Sequence, residues 1–387
     1  MVDFEVGVIL PCAGSGERLG GVIPKQYCKV LGKPLFMYAL EAFDQLPYVK
    51  RIALVVDKHE QVRSWIQEFG VNEEKITVVK GEATRHRSIR AGLQSLQKNE
   101  DSMKVVVVHD AVRPLVPRPV VDELMLAAER HGAAGLTRPL VSTVLEPGAD
   151  GLLARCLDRS RHLASETPQA FQLGVLAAAY AKCSAEDLDT GTECLELARA
   201  HACVRACLIQ GPEELWKVTH KKDIYAAEGC LREAMNSVCI VAAEESEAVR
   251  LLAESLSCRV ASVRHVRSAA DPPAGSSKDT FNTVIFFHEH EIDQENQLLE
   301  FATMLDFEKQ GLIVHVMDHT SSDGMQTMSV YDLHCAGRSM AKHYEKLRKG
   351  VAVIHRLTPG EDARLAELVA SLVLSDPPTF SGQTLFL

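Results

Sequence analysis

The sequence has 387 residues and a formal net charge of −10, and 46% of its residues are hydrophobic. A chain of this length usually divides into more than one domain, and its acidic balance argues against nucleic acid or a membrane as a partner. Eleven cysteines without disulfide-framework spacing favour reduced thiols in a cytosolic protein, and we expect neither a secretory signal nor a transmembrane helix. Any site for an anion must therefore be a local basic pocket.

The loop after the first predicted strand has the composition of a phosphate-binding loop. Residues 6–10 form an apolar run that predicts a buried strand. The glycines that follow let the backbone turn sharply and approach a ligand closely, and they are Gly14, Gly16, Gly20 and Gly21. Arg18 and Lys25 add two cations. The loop matches no P-loop pattern, and the dinucleotide fingerprint fails because Leu19 stands where its third glycine should be.

Strands and helices then alternate as they do in a doubly wound sheet. Helices are predicted at residues 34–45, 58–69 and 85–98, and strands at residues 51–57, 76–79 and 105–110. This alternation predicts an α/β fold with a mostly parallel sheet, in which ligands bind at the carboxyl ends of the strands. The glycine-rich loop and residues 81–88 and 109–113 all follow predicted strands, so we expect them to meet at one edge.

A projecting hairpin interrupts this pattern at residues 139–165, where two apolar stretches flank a Pro-Gly-Ala-Asp-Gly turn. The first domain, residues 1–235, is completed by further predicted elements. These are helices at 173–183 and 193–202, strands at 204–209 and 215–218, and a final helix at 221–236. A hairpin alone is marginally stable in water, so we expect it to pack against something.

A second, smaller α/β domain is predicted for residues 236–387. The sequence predicts strands at 238–242, 281–287, 311–317 and 351–357, helices at 244–255, 293–309, 341–349 and 362–374, and a flexible loop at 268–277. Its first strand lacks a glycine fingerprint, so we assign it no ligand and expect a non-catalytic role. In the first domain, His201 near Cys203 and Cys207 lacks a second ligand pair with zinc spacing, so we expect no metal there.

Residues 11–27 combine Pro-x-Ala-Gly-x-Gly-x-Arg-x-Gly with Pro-Lys-Gln-Tyr. The first part resembles the nucleotidyltransferases that activate sugar or alditol phosphates, and the second is similar to the cytidylyltransferases of isoprenoid and ribitol phosphate metabolism. The resemblance covers residues ~5–235, about the size of one domain. It implies a Rossmann-like fold, CTP and an alditol phosphate as substrates, Mg²⁺ as cofactor, and a homodimer whose hairpin arms embrace the partner subunit.

The same resemblance implies roles for individual residues. The catalytic cations would be Arg18, Lys25 and Lys217. The CTP-binding residues would be Cys12, Ala13, Gly14, Ser15, Gly16, Gly81, Arg85, Ser88, Asp110 and Ala111, with Asp110 also approaching the metal. The acceptor-binding residues would be Arg113, Thr143, Arg159 and Thr167, partly across the dimer interface.

Two acceptors and one non-enzymatic role remain open. Three features are similar to the animal members of the family, which make CDP-ribitol for protein O-mannosyl glycans, including that of dystroglycan. They are residues 84–89, residues 191–197 and the long second domain without cyclase motifs. They favour D-ribitol 5-phosphate over 2-C-methyl-D-erythritol 4-phosphate, although physics alone does not separate these acceptors. A catalytically dead scaffold is the third reading, and the presence of all three cations argues against it.

Overall fold

The computed structural model describes residues 1–14, 23–98, 102–268, 281–288, 311–320, 329, 331–335, 338–339, 349–375 and 381–387. The chain divides into two compact units, Met1–Glu228 and Gly229–Leu387. The boundary between them falls inside a helix, Lys221–Met235. The sequence places the domain boundary a few residues later, at the end of this helix.

A seven-stranded sheet forms the centre of the first unit. The strands of this unit are β1 (Glu5–Pro11), β2 (Lys29–Val30), β3 (Lys33–Pro34), β4 (Val49–Val56), β5 (Ile76–Lys80), β6 (Met103–Val108), β7 (Ala133–Pro139), β8 (Val144–Pro147), β9 (Leu153–Leu157), β10 (Leu163–Gln172) and β11 (Cys207–Gln210). The sheet has the order β11-β7-β10-β6-β1-β4-β5. Its strands pair in parallel except β10, which runs antiparallel to β6 and β7.

Helices cover both faces of this sheet. They are α1 (Leu35–Asp44), α2 (His59–Glu68), α3 (Arg85–Gln97), α4 (Arg118–His131), α5 (Leu173–Lys182), α6 (Ala185–Thr190), α7 (Cys194–Ala202) and α8 (Lys221–Met235). Val8 and Leu10 of β1 belong to a core layer with side chains of α1 and α4, whereas Ile9 belongs to the opposite layer with α3, α5 and α7. Because β1 is buried on both faces, its sequence is continuously apolar. The predicted doubly wound fold is confirmed.

Strands β8 and β9 pair antiparallel where the sequence predicts a hairpin. This hairpin exposes several large apolar side chains, with relative exposures of 56% for Leu145, 69% for Leu152 and 64% for Leu153. Isolated exposed apolar side chains are common on proteins, whereas a cluster of them marks a candidate interface. The packing of this hairpin on a second subunit stays a prediction.

The second unit contains a six-stranded parallel sheet of order β13-β12-β14-β15-β16-β17. Its elements are β12 (Ser237–Val241), α9 (Glu247–Ser257), β13 (Ser262–Val266), β14 (Thr283–His288), β15 (Gly311–Asp318), β16 (Lys349–Arg356), α10 (Asp362–Leu374) and β17 (Gln383–Phe386). Helix α9 begins three residues later than predicted because the Ser246 side chain caps it, accepting from the backbone N–H of Val249 at 3.3 Å. The predicted helix at 293–309, and most of the helix at 341–349 and the loop at 268–277, lie outside the described residues.

Five buried histidines make stability depend on pH. Burial lowers the pKa to about 3 for His288 and to about 4 for the others, which are His86, His109, His315 and His355. Between pH 6.5 and 4 the unfolded chain therefore binds more protons than the folded chain, and stability falls as the pH falls. By pH 5 the unfolding free energy should therefore be lower than at neutral pH, with the hydrogen-bonded pair His288 and His315 contributing as one coupled unit. Urea unfolding at pH 7.5, 6 and 5 measures this loss, and an unfolding free energy that stays constant over this range contradicts it.

Candidate active site

A cavity of about 520 Å³ opens at the carboxyl ends of β1, β5 and β6. The segments that follow these three strands contribute most of its walls, and Lys217 from the end of the first unit completes them. The lining residues are Pro11, Cys12, Ala13, Gly14, Lys25, Gln26, Glu82, Ala83, Thr84, Arg85, Ser88, Asp110, Val112 and Lys217. The three segments that the sequence placed at one edge of the sheet thus meet in one cavity. Ser15, Gly16 and Arg18 lie outside the described residues.

The first loop is held in place by a side chain whose role the sequence analysis missed. The Gln26 amide donates to the carbonyl oxygens of Cys12 at 2.9 Å and Gly14 at 2.8 Å. The backbone N–H of Cys12 donates to the carbonyl of Val55 at 2.7 Å, which ties the loop to β4. Burial raises the pKa of the Cys12 thiol far above its ordinary value, so that it stays protonated. Gln26 therefore fixes the backbone where the cavity begins.

Gly81 lies behind this loop and does not line the cavity. A Cβ atom at Gly81 would clash with the Cβ of Ala13, 2.2 Å away, and would lie 2.7 Å from Oδ1 of Asp57. Glycine is required here because the loops after β1 and β5 pack directly against each other. This packing explains the glycine without a contact to a ligand, and its predicted role in CTP binding stays a prediction.

Lys25 and Lys217 approach the cavity from distant parts of the sequence. Lys25 lies in a 3₁₀ turn preceded by Pro24, and its Nζ donates to the carbonyl of Val218 at 3.0 Å. The neighbouring Lys217 directs its Nζ to Oδ2 of Asp110 at 2.9 Å. The Lys25–Val218 hydrogen bond therefore ties the first loop to the segment that carries Lys217.

Asp110 is the hub of the charged cluster. Arg85 Nε donates to its Oδ1 at 3.1 Å, Lys217 bonds its Oδ2, and Arg113 Nε lies 3.6 Å from Oδ2. Burial alone would raise the pKa of this carboxyl, but Arg85, Lys217 and Arg113 together hold it well below its usual range. Asp110 is therefore ionised at every physiological pH and orients the cations around it.

The start of helix α3 forms another wall of the cavity. The Thr84 hydroxyl accepts from the backbone N–H of Arg87 at 3.3 Å and donates to the carbonyl of Leu188 at 2.5 Å. The Ser88 hydroxyl accepts from the backbone N–H of Glu82 at 3.0 Å, and Arg85 Nη1 donates to the carbonyl of Thr192 at 3.2 Å. Because the N-terminus of a helix favours anions, this end adds to the positive potential of the cavity.

A buried ion-pair network adjoins Asp110. The Arg113 guanidinium bonds the Glu166 carboxylate and the Leu215 carbonyl, and Arg138 Nη2 lies 3.1 Å from Oε1 of Glu166. The Thr167 hydroxyl accepts from the backbone N–H of Asp110 at 3.1 Å. Burial lowers the pKa of Arg113, with Asp110 opposing that effect. Sequence reasoning did not single out Glu166, since its partners lie 53 and 28 positions earlier in the chain.

The remaining predicted residues do not line the cavity. Ala111 is buried next to Asp110. Thr143 is exposed on the approach to the hairpin, and Arg159 is exposed after it, where its Nη1 donates to the carbonyl of Val141 at 2.7 Å. Contact of these two residues with an acceptor would require a second subunit, so their role stays a prediction.

The cavity suits a ligand that carries several negative charges. Three described cations, Lys25, Arg85 and Lys217, and two acidic residues, Glu82 and Asp110, border it. The carboxylate of Asp110 supplies an oxygen ligand of the kind that Mg²⁺ prefers. The fold and this cavity define a doubly wound α/β protein with a cation-lined site at its strand ends.

The chain belongs to the 2-C-methyl-D-erythritol 4-phosphate cytidylyltransferase family, whose model matches residues 6–233. A protein of Chromobacterium violaceum with that name is 32% identical over 225 residues, which cover 58% of this chain and 96% of the bacterial protein. The crystal structure of 4-diphosphocytidyl-2C-methyl-D-erythritol synthase from Anaerococcus prevotii matches 59% of this chain and 99% of its own, with a TM-score of 0.50 and 21% identity. That likeness shows the shared fold, and the family resemblance predicted from the motifs is confirmed.

Animal proteins match more of the chain. A protein named D-ribitol-5-phosphate cytidylyltransferase in Xenopus tropicalis is 46% identical over 253 residues, which cover 63% of this chain and 61% of the frog protein. The Homo sapiens protein of the same name is 44% identical over 250 residues, which cover 62% of this chain and 55% of the human protein. The chain thus spans about three fifths of the length of these two relatives. Among the residues that the structure describes, every helix is too short or too polar to cross a membrane.

Proposed function

We propose that this protein transfers CMP from CTP to D-ribitol 5-phosphate, giving CDP-ribitol and pyrophosphate. The observation that carries this proposal is the meeting of Lys25, Arg85 and Lys217 with Asp110 in one cavity at the strand ends. Family membership supports the reaction type. The names of the animal relatives favour D-ribitol 5-phosphate as the acceptor over 2-C-methyl-D-erythritol 4-phosphate.

The proposed reaction is a displacement at phosphorus. A phosphate oxygen of the acceptor attacks the α-phosphorus of CTP in line and forms a new P–O bond. The bond from the α-phosphorus to the oxygen bridging it to the β-phosphorus breaks, and pyrophosphate leaves with the electron pair. Because the nucleophile is already an anion, a general base is unnecessary. Catalysis then consists of positioning and charge stabilisation.

Each cation has a place in this scheme. Lys25 stabilises the charge that develops on the triphosphate, and Arg85 binds the nucleotide from the start of α3. Lys217 neutralises charge on the phosphates that react. In the structure, Asp110 holds Arg85 and Lys217 by hydrogen bonds, so their positions are fixed before a substrate binds. Such preorganisation is what makes electrostatic stabilisation effective.

Asp110 is also the residue that we propose to hold Mg²⁺. It fits this ion because it is an oxygen donor that borders the cavity and stays ionised, as its depressed pKa requires. Mg²⁺ usually binds through one or two carboxylates together with substrate phosphates and water. When held there, it would neutralise part of the negative charge of the triphosphate.

A comparison of the two acceptors tests the proposed function. With CTP and Mg²⁺, we expect kcat/KM to favour D-ribitol 5-phosphate over 2-C-methyl-D-erythritol 4-phosphate by at least ~10-fold, the scale for small differences in substrate shape. Excess chelator should abolish pyrophosphate release, and Mg²⁺ should restore it. A reversed preference would identify 2-C-methyl-D-erythritol 4-phosphate as the acceptor. Full turnover in excess chelator would show that the reaction does not need a metal ion. If neither acceptor reacts and calorimetry detects no CTP binding, the scaffold alternative is correct.

We further propose that the protein is a homodimer in which the β8–β9 hairpin packs on the partner subunit. The exposed side chains of Leu145, Leu152 and Leu153 support this, because a two-stranded hairpin with apolar residues is poorly stable without a packing partner. In such a dimer Thr143 and Arg159 would approach the acceptor site of the other subunit.

A double substitution in the hairpin tests this assembly. We expect Leu145→Asp with Leu153→Asp to weaken the dimer in sedimentation velocity and to raise the acceptor KM, while CTP binding stays unchanged. Leu208→Asp is a matched control, since Leu208 is 55% exposed on the edge strand β11. A wild-type monomer with a normal acceptor KM, or a double variant that dimerises as tightly as wild type, would refute the shared site.

We propose that the chemistry lies within residues 1–235 and that residues 236–387 have a non-catalytic role. The residues that line the cavity all come from positions 11–217, and the second unit has its own core. A truncated chain ending at Asn236 should then bind CTP and turn it over when folded. Intact CTP binding with lost turnover would show that the second unit completes the site.

We also propose that the protein works in the cytosol and that its CDP-ribitol serves protein O-mannosyl glycans such as that of dystroglycan. All eleven cysteines are free thiols, which supports a reducing compartment. Cell fractionation tests the location, and the ribitol content of these glycans after depletion of the protein tests the role. Normal glycans in depleted cells would exclude that role.

A further inference from the structure

Three side chains with metal-binding atoms meet at a place that the proposed reaction does not use. They are Cys183 just after α5, Asp187 in α6 and His201 in the last turn of α7. One ligand atom from each, a thiol sulfur, a carboxylate oxygen and an imidazole nitrogen, lie within 4.8 Å of one another. His201 Nε2 is 3.0 Å from Oδ2 of Asp187.

We propose that this cluster is a binding site for a divalent transition metal, with Zn²⁺ as the best-suited ion. Thiolate, imidazole and carboxylate are the usual ligands of Zn²⁺. With metal–ligand bonds of about 2.0–2.3 Å, the ligand atoms of a tetrahedral site lie roughly 3.3–3.8 Å apart. No pair of these atoms is more than 4.8 Å apart, and His201 Nε2 and Asp187 Oδ2 are already 3.0 Å apart, so closing the site takes a movement of at most about 1.5 Å, which side-chain rotation supplies.

The surroundings of the cluster hold its ligands in place. The Asp187 carboxylate closes a capping box at the start of α6, where its Oδ2 accepts from the backbone N–H of Ser184 at 2.8 Å and from the Ser184 hydroxyl at 2.9 Å. Cys183 and His201 are anchored at the ends of two longer helices. All three residues are half-buried, so water can complete the coordination. An ion held here would therefore have three protein ligands and a water molecule as the fourth.

This cluster is not the group of residues that the sequence analysis considered as a metal site. The sequence places His201 near Cys203 and Cys207, but the structure joins it to Cys183 and Asp187, 18 and 14 residues earlier. Cys203 lies after the end of α7, with its thiol exposed and its backbone at a φ of 57°. The three residues form no metal-binding sequence motif, because two of them lie 14 and 18 residues before the third and all three lie on separate helical segments.

A bound ion would link α5, α6 and α7, and α6 in turn contacts the wall of the cavity. The Leu188 carbonyl of α6 accepts from Thr84, and Oδ1 of Asp189 lies 2.6 Å from Nε of Arg87. The ion would therefore restrain the segment that carries Arg85. The site acts as a structural clip, and its existence is independent of the proposed reaction.

Cobalt titration of the full chain tests the site without reference to turnover. After metal is removed with a chelator and the chelator is dialysed away, we expect one equivalent of Co²⁺ to produce a sulfur-to-cobalt charge-transfer band that one equivalent of Zn²⁺ then removes. Zn²⁺ should also raise the unfolding temperature, since it binds the folded chain preferentially. Excess Mg²⁺ should leave the band unchanged, because Mg²⁺ avoids thiolate ligands.

Variants decide which residues bind the ion. Cys183→Ser should abolish the band, and His201→Gln should weaken Co²⁺ binding by more than the roughly 10–100-fold that loss of an outer-shell partner costs. Cys203→Ser is the matched control and should behave as wild type. A wild-type chain without the band overturns the proposal, as does a band that Cys203→Ser removes and Cys183→Ser retains. If Cys183→Ser fails to fold, His201→Gln decides the question, and unchanged affinity in that variant overturns the site.

Discussion

Replacing Lys25 with alanine is expected to lower kcat by about 10²–10³, the scale for losing one preorganised donor at a developing charge. The Nζ of Lys25 borders the cavity and is held by the carbonyl of Val218 at 3.0 Å. Steady-state kinetics with CTP and D-ribitol 5-phosphate measure the change. The loss should appear in kcat more than in KM, because the interaction strengthens as charge develops in the transition state.

Lys29→Ala is the matched control for this variant. Lys29 is four residues further along, is exposed on β2 and does not line the cavity. Its replacement should leave turnover within a factor of about two, since a surface substitution away from the site has little effect. Both variants should have wild-type circular dichroism spectra. Near-normal turnover in Lys25→Ala would show that Lys25 is not a catalytic residue.

Replacing Asp110 with asparagine is expected to reduce stability and activity together. Asp110 compensates Arg85, Lys217 and Arg113 in a buried setting. Removing one member of a buried ion pair leaves uncompensated charge and typically costs about 3–5 kcal/mol. Urea unfolding measures this loss, and turnover should fall by at least about 10² because two cations lose their positions and Mg²⁺ loses its ligand.

Asp189→Asn separates this effect from that of an ordinary surface ion pair. Asp189 pairs with Arg87 at 2.6 Å; the Asp189 side chain is exposed and the Arg87 side chain is half-buried. Its loss should change the unfolding free energy little, since water solvates the charges that remain. If Asp110→Asn were as stable and as active as wild type, the role of Asp110 as the electrostatic hub would be wrong.

The sequence predicts the layered fold of the first unit well because its buried strands and amphipathic helices carry strong local patterns. The predicted strand at residues 6–10 is the core of β1, and the predicted helix at 85–98 is α3. Glycine and charge placement after β1 also indicated the cavity, because loops at the ends of parallel strands converge. These features depend on residues that are close together in the sequence.

Other parts of the fold were predicted wrongly or were left out, and α4 and β7 have no counterpart among the predicted elements. The predicted strand at 215–218 is absent, because Val218 donates its N–H to the carbonyl of Val112 and accepts from Lys25 instead of joining the sheet. Strand β10 was missed, since its central residues include polar Glu166 and Thr167, which bond to groups around Asp110. Alternating hydrophobicity gives no signal where a strand buries polar groups.

The same physical reason explains which site residues were overlooked. Gln26 is part of a motif, but its bonds to Cys12 and Gly14 become evident only in the folded loop. Glu166 bonds Arg113 and Arg138 across the sheet. The cations and Asp110 could be predicted because a family pattern marks them, whereas the hydrogen bonds that orient them join residues far apart in the sequence and become evident only in the fold.

The most direct test of the proposed reaction follows the acceptor phosphate through turnover. The purified 387-residue chain is incubated with CTP, Mg²⁺ and D-ribitol 5-phosphate whose phosphate oxygens carry ¹⁸O, and the masses of the separated products are measured by mass spectrometry. Attack of the acceptor oxygen on the α-phosphorus predicts CDP-ribitol that retains all of the label and pyrophosphate that carries none. Labelled pyrophosphate, or the absence of CDP-ribitol from a folded chain that binds CTP, would contradict the proposed transfer of CMP.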